Sequence, residues 1–313
     1  MARMSGLIDS HQHVFWHGRD DAGLVADMDE HGIERAWLLT WEERMDELGP
    51  TSYPRVVDPR HKHAGDAVAL PLDGVVEACR RYPDRFIAGY CPHPLDPNAC
   101  EKLEAAVGIF NVRVCGEWKF CLPFDDPRCL QLFRKAGALG LPVVLHLDVP
   151  YLPPKGGRYV GNGLWKGGTI DNLERALIAC PETNFIGHAP GFWREMAGNA
   201  DEIPEAYLKP PLVPGGRLPG LFDKYPNLYA DLSAGSALRA LKADPAVARE
   251  MLVTRPDRFL FGRDYYGGEL LAFLESLDLP DAVWHKIGRE NAERLLAATA
   301  GNRRDAAKQI RLG

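Results

Sequence analysis

The stretch "IDSHQHVF" near the start of the chain sets two histidines one residue apart, His11 and His13, shortly after Asp9. On a strand, side chains alternate, so Asp9, His11 and His13 are expected on one face. Two imidazoles at that spacing can hold one metal ion through ring nitrogens, although an isolated pair is more often a hydrogen-bonded core feature. This pair is not isolated. "LGLPVVLHLD" carries an apolar run into His146, "NFIGHAPG" ends one in His188, and "RFLFGRD" runs into Asp264. The chain has 10 histidines, and four of them fall at three expected strand ends, with an aspartate at a fourth. That concentration reads as a metal centre rather than as packed rings.

The elements that must position these groups follow from the pattern of apolar residues. Short β-branched or aromatic runs recur after the opening strand, at 35–40, 85–91, 111–120, 141–147, 184–189, 227–233 and 258–262. Most are separated by helical patterns, notably 75–82, 99–107, 127–140 and 170–180, with apolar residues at three- and four-residue spacing. Asp126-Pro127 reads as a helix start and Gly140 as a stop. Alternating strands and helices imply parallel strands with right-handed crossovers, and eight such units close into a (β/α)8 TIM barrel whose site lies at the C-terminal strand ends. The rival, an open doubly wound sheet, lacks a glycine-rich phosphate turn after the first strand. The expected organisation is a single barrel domain spanning 1–313, with long loops at 41–66, 148–169 and 192–219 over the site as lids.

The segments "IDSHQHVF", "LGLPVVLHLD", "NFIGHAPG", "YPNLYADLS", "RFLFGRDYY" and "KIGRENAERLL" resemble, in order, those of the amidohydrolase superfamily. The branch they resemble is amidohydrolase 2, which includes aminocarboxymuconate-semialdehyde decarboxylase relatives. The resemblance runs from residue 8 to about residue 296. It implies His11, His13, His146 and Asp264 as ligands of a divalent metal, zinc first and manganese second, with His188 as a catalytic group. The residue types agree. Imidazoles plus a carboxylate with an open position suit a catalytic site, where the metal brings the pKa of a bound water from 15.7 towards about 7. Asp264 is suited to take a proton, and His188 to polarise a substrate or deliver a proton.

"RVCGEWKF" departs from the family's usual pattern, with Arg113, Cys115, Glu117 and Lys119 expected on one face. A glutamate after strand four can bridge two metals in the wider superfamily, so Glu117 is an additional ligand candidate; a Glu117–Lys119 pair or a substrate contact is weighted slightly above it. "GRDYY" stands where relatives have "GSDYP", which makes Arg263 either a substrate-binding cation or a surface ion pair. Arg113, Lys119, Arg158, Arg194, Arg263 and Trp165 form the substrate-binding candidates. Trp41, Glu42 and Arg44 follow strand two and either face the pocket or anchor a loop, and His93 sits in a rigid proline turn. His31 reads as structural, and His61 and His63 as solvated.

The formal net charge of -6 disfavours nucleic acid or an anionic membrane as the main partner. Seven cysteines without a C-x-x-C pair favour a reduced, cytoplasmic setting over a disulfide framework or a thiolate zinc site. The partner implied is a small molecule, and assembly into a homo-oligomer is compatible with the sequence. The leading functional reading is a hydrolase acting through metal-bound hydroxide on a small, carboxylate-bearing amide, lactone or related substrate. The alternative is a non-oxidative decarboxylase on the same site. A barrel that binds without catalysis ranks third, since all four ligand positions are intact.

Overall fold

The computed structural model describes residues 6–44, 62–63, 67–149, 166–203 and 205–297. Eight parallel strands form its frame: β1 (Leu7–Gln12), β2 (Ile33–Leu38), β3 (Phe86–Ala88), β4 (Cys115–Trp118), β5 (Val143–His146), β6 (Phe185–His188), β7 (Leu228–Asp231) and β8 (Phe259–Leu260). Strands β1–β2–β3 pair in one sheet and β4 to β8 in another. The sheets join into a barrel at two places. Gly89 bridges Val114 between β3 and β4, and the Ser10 amide donates to the Phe261 carbonyl beside β8 and β1. Every expected strand is present, most of them shorter than the apolar run, with β2 of the same length but starting two residues earlier.

Helices α1 (Asp21–Glu30), α2 (Leu72–Arg81), α3 (Ala99–Phe110), α4 (Pro127–Ala138) and α5 (Ile170–Ala179) fill the first crossovers. Helix α4 starts where the sequence places it. The Asp126 carboxylate accepts from the Arg128 amide and Pro127 occupies the first turn, where its missing N–H costs nothing. It buries Cys129, Leu132, Phe133 and Ala136, and Gly140 follows at φ +73°, a left-handed conformation that ends the helix.

Each strand, with Val114 just before β4, sends one apolar side chain to the barrel axis. Ile8, Trp37, Ile87, Val114, Val144, Ile186, Tyr229 and Leu260 pack together with Leu39 and with Ala292, Leu295 and Leu296. This plug sets the position of the site. Two residues further along β5, β6 and β7 the same face carries His146, His188 and Asp231, one layer above the apolar plug.

Two expectations need correction. In β1 the pairing register with β2 shifts between Asp9 and Gln12, which breaks strict alternation. Asp9 therefore does not join His11 and His13 but turns to Arg263 and the Gln12 side chain. The stretch 41–66 does not begin as a loop, because Trp41–Arg44 pairs antiparallel with Ala67–Leu70, which also pairs with Lys62–His63. His61 lies outside the described residues, as do Arg158, Trp165 and most of 148–169.

Residues 192–219 are described save one; the first part is packed, burying Phe192, Trp193, Met196, Ala197 and Ala200, and the more exposed remainder is anchored by Leu208 and Leu218. The segment folds back on itself, with the Gly198 amide donating to the Val213 carbonyl. A Cβ at Gly216 would lie 2.1 Å from the Met196 carbonyl oxygen, so only glycine permits that approach.

Candidate metal centre

Histidines 11 and 13 leave β1 with their ring orientations already fixed. His13 donates from Nδ1 to the Leu39 carbonyl at 2.8 Å, so its Nε2 is the bare nitrogen. His11 uses Nδ1 on the Asp231 carboxylate at 2.7 Å and turns Nε2 inward. Both Nε2 atoms face the same two carboxylate oxygens. Glu117 Oε2 lies 4.0 Å from that of His11 and 3.6 Å from that of His13. Asp264 Oδ1 lies at 3.9 and 3.5 Å. His11 Nε2, Glu117 Oε2 and Asp264 Oδ1 are buried and have no hydrogen-bond partner among the described residues. Orphaned polar atoms converging on one point are costly unless something binds there. Two imidazole nitrogens and two carboxylate oxygens suit a divalent cation such as zinc or manganese, and the residues fit one.

Glu117 also serves a second group. Its Oε1 lies 2.6 Å from His146 Nδ1 and 3.8 Å from His188 Nε2, and Glu117, His146 and His188 form another set with metal-ligand spacing. One carboxylate thus stands between both histidine pairs. His146 stands on the far side of Glu117 from His11 and His13: Glu117 takes its Nδ1 and Asp148 its Nε2, at 2.9 Å, and its ring lies 5.3 Å from that of His188. His188 is held at Nδ1 by Asp231, 3.0 Å, and Ser233 Oγ, 2.7 Å, leaving Nε2 towards the centre.

Burial and charge pull the titrating groups apart. Burial lowers the His11 imidazole, but Asp231, Asp264 and Glu117 outweigh it and raise it to about 9. Burial lowers His13 to about 3 and His188 to about 4. Burial raises the Asp264 carboxyl to about 7. Glu117 is held well below the usual carboxylate range despite its burial, by Lys119 and His146.

The substrate-binding candidates divide. Lys119 is buried, with Nζ 3.8 Å from Glu117 Oε2 and 4.0 Å from the centre of the Trp41 ring. Arg263 is not a surface residue and does not face the centre. It is 4% exposed and donates to Asp9 and Asp27, both at 2.7 Å, tying β1 and α1 to the end of β8. Arg194 turns back to the Ala200 and Ile203 carbonyls of its own loop. Arg113 precedes β4 and donates to the Leu296 carbonyl, at the plugged end of the barrel. His31 is buried and donates to the Asp27 carbonyl, as a structural histidine would.

The amidohydrolase family matches residues 8–297. The chain belongs to it. No curated protein sequence matches the chain significantly. Among solved structures, 2,6-dihydroxybenzoate decarboxylase from Rhizobium is 19% identical, covering 94% of this chain and 99% of its own, with a TM-score of 0.55. A 5-carboxyvanillate decarboxylase from Novosphingobium aromaticivorans, complexed with manganese and 4-hydroxy-3-methoxy-5-nitrobenzoic acid, is 15% identical over 95% and 97%, TM-score 0.56. A probable 2-pyrone-4,6-dicarboxylic acid hydrolase from Acinetobacter baumannii is 12% identical over 93% and 99%, TM-score 0.54. These likenesses establish the barrel fold of this amidohydrolase.

Three site residues escape the sequence reading: Asp231, Asp148 and Lys166. Asp231 lies in "YPNLYADLS" at the end of β7, so the rule that found His146 and His188 applies to it as well. Lys166 has no such signal. It comes from the long stretch after β5 and is placed by its carbonyl, which accepts from the Asp148 amide at 3.0 Å. It is fully buried, with Nζ 5.6 Å from the Trp41 ring centre.

Proposed function

We propose that this amidohydrolase is a metal-dependent, non-oxidative decarboxylase of a small aromatic carboxylic acid. The observation that carries the reading is the pair of buried ammonium groups, Lys119 and Lys166, on Trp41 at the edge of the imidazole–carboxylate centre. Two cations in a nearly dry wall are suited to take up a carboxylate, and the indole offers a ring face beside them. The solved decarboxylases of similar fold act on acids of this type, which supports the choice of substrate. Decarboxylation thereby moves ahead of the hydrolysis that the sequence alone puts first.

A divalent cation held by His11, His13, Glu117 and Asp264, manganese or zinc, would polarise a substrate oxygen as a Lewis acid. The reaction exchanges one bond for another: the ring carbon loses CO₂ and gains a proton, with no change of oxidation state. Asp264 is placed to carry that proton. Its side chain is 13% exposed while those of His11 and Glu117 are 0% and 1%, so it can exchange a proton with solvent. His188, neutral at pH 7 and fixed through Nδ1, presents Nε2 to accept a proton from a substrate hydroxyl.

The test is incubation of metal-loaded protein with hydroxybenzoates and carboxyvanillate-type acids, and in parallel with carboxylate-bearing lactones and amides, in ¹⁸O-water, following CO₂ and product mass. Release of CO₂ with no label in the organic product is the expected result. Label entering a ring-opened lactone or cleaved amide, without CO₂, would overturn the proposal in favour of hydrolysis.

A further inference from the structure

We infer that Asp231 is a positioning residue that fixes the ring tautomers of His11 and His188 together, so that one carboxylate holds both Nε2 atoms ready for the centre. The observation is a shared contact. Asp231 Oδ2 lies 2.7 Å from His11 Nδ1, and Oδ1 lies 3.0 Å from His188 Nδ1. The carboxylate is 0% exposed, so no solvent stands in for either partner. An ionised carboxylate only accepts hydrogen bonds. In the neutral form that binding a cation requires of His11, both rings must therefore carry their proton on Nδ1, which leaves both Nε2 lone pairs directed inward. Ser233 completes the arrangement. Its Oγ donates to Asp231 Oδ1 at 2.7 Å and lies 2.7 Å from His188 Nδ1, and its amide donates to the same Oδ1 at 3.3 Å. With its proton on Asp231, the hydroxyl is left as an acceptor towards His188, which again calls for Nδ1–H.

The consequence is particular to sharing. A carboxylate serving one imidazole orients one group. Here the acceptor comes from β7 and the two rings from β1 and β6, so a ligand and an acid–base group are set by one side chain. Asparagine at 231 keeps the shape but offers one acceptor and one donor. It can satisfy both histidines only if one ring moves its proton to Nε2, where it would block the centre.

The inference rests on the metal centre but not on the choice of reaction, so the test uses the metal alone. The first measurement is on unaltered, zinc-loaded protein labelled with ¹⁵N-histidine. Nδ1–H signals are expected for both His11 and His188, protected from exchange; an unprotonated Nδ1 on either ring would overturn the inference without any variant. The second compares Asp231→Asn with unaltered protein in zinc titration and in the same spectrum. One of the two Nδ1–H signals should vanish. If it is that of His11, zinc affinity should fall on the order of 10- to 100-fold. If it is that of His188, affinity should hold while the Nε2 signal becomes that of a protonated nitrogen. Asp231→Asn protein with both Nδ1–H signals and full zinc affinity, even if its melting temperature drops, would mean that Asp231 is merely structural.

Discussion

Glu117 faces four histidines and a lysine from the middle of the barrel, and its place among them decides how the centre is built. Its Oε2 is orphaned between His11 and His13 while Oε1 lies on His146. The pairing with Lys119 exists too, at 3.8 Å, but it does not compete, since the same oxygen can face both the lysine and the cation position. The Glu117→Gln variant keeps the volume and removes the charge. It should weaken binding of the first metal by at least the 10- to 100-fold that loss of a supporting partner gives. Metal content after dialysis against a buffered zinc series measures this; unchanged occupancy would place Glu117 outside the ligand set. Sequence weighting underrates Glu117 because one strand, taken alone, does not reveal what faces it. The contacts that define it come from residues 29 to 106 positions away. His11, His13 and Asp264 were legible because each ends an apolar run. Arg263 also follows such a run, but its partners Asp9 and Asp27 lie 254 and 236 residues away, beyond any local pattern.

At the scale of elements, the Arg263 network is what fastens the first strand and helix to the last strand. Arg263 donates to Asp9, Asp27 and the Gly267 carbonyl, and the Gly267 amide donates to Asp27. Removing the cation leaves the buried Asp9 carboxylate without its cation and Asp27 with only the half-exposed Arg19, which costs about 3–5 kcal/mol. Arg263→Met should therefore melt well below the unaltered protein. The effect has a pH signature. Burial alone would raise Asp27, but Arg263 and the Gly267 amide outweigh it and lower it. A lowered folded-state pKa contributes stability above the unfolded carboxylate value of about 3.9, and that contribution is lost as pH falls through the folded value. The gap between the two melting curves should narrow in acid and be constant near neutrality; a gap that widened in acid would contradict the pairing. The segment 192–219 supplies a second element-scale case. Its glycine and proline content suggests a loose lid, yet its glycines permit close backbone approach, Gly216 against the Met196 carbonyl and Gly198 against that of Pro214. Gly216→Ala should cost about 1–3 kcal/mol by overpacking, read as a lower denaturation midpoint. No change would mean the segment gives way there.

For the whole molecule, the cation should be part of the folding equilibrium as well as of the chemistry. The atoms that converge come from β1, β4 and the end of β8, and between Glu117 and Asp264 alone lie more than a hundred residues. In the unfolded chain only the His11–His13 pair stays together, which is a poor site by itself. Binding is then nearly confined to the folded state, and it stabilises by RT ln(1 + [L]/Kd), about 2.7 kcal/mol at a hundredfold excess over Kd. The cation also gives His11 Nε2, Glu117 Oε2 and Asp264 Oδ1 the partner they otherwise lack. Removing it with a chelator should lower the melting temperature, and adding back manganese or zinc should restore it. The double variant His11→Asn, His13→Asn should melt at one temperature with or without chelator, because it has lost the site. Chelator-sensitive melting in that double variant would place the stabilising metal elsewhere. Chelator-insensitive melting of unaltered, metal-loaded protein, with the metal shown to have left, would mean that the centre carries no folding free energy.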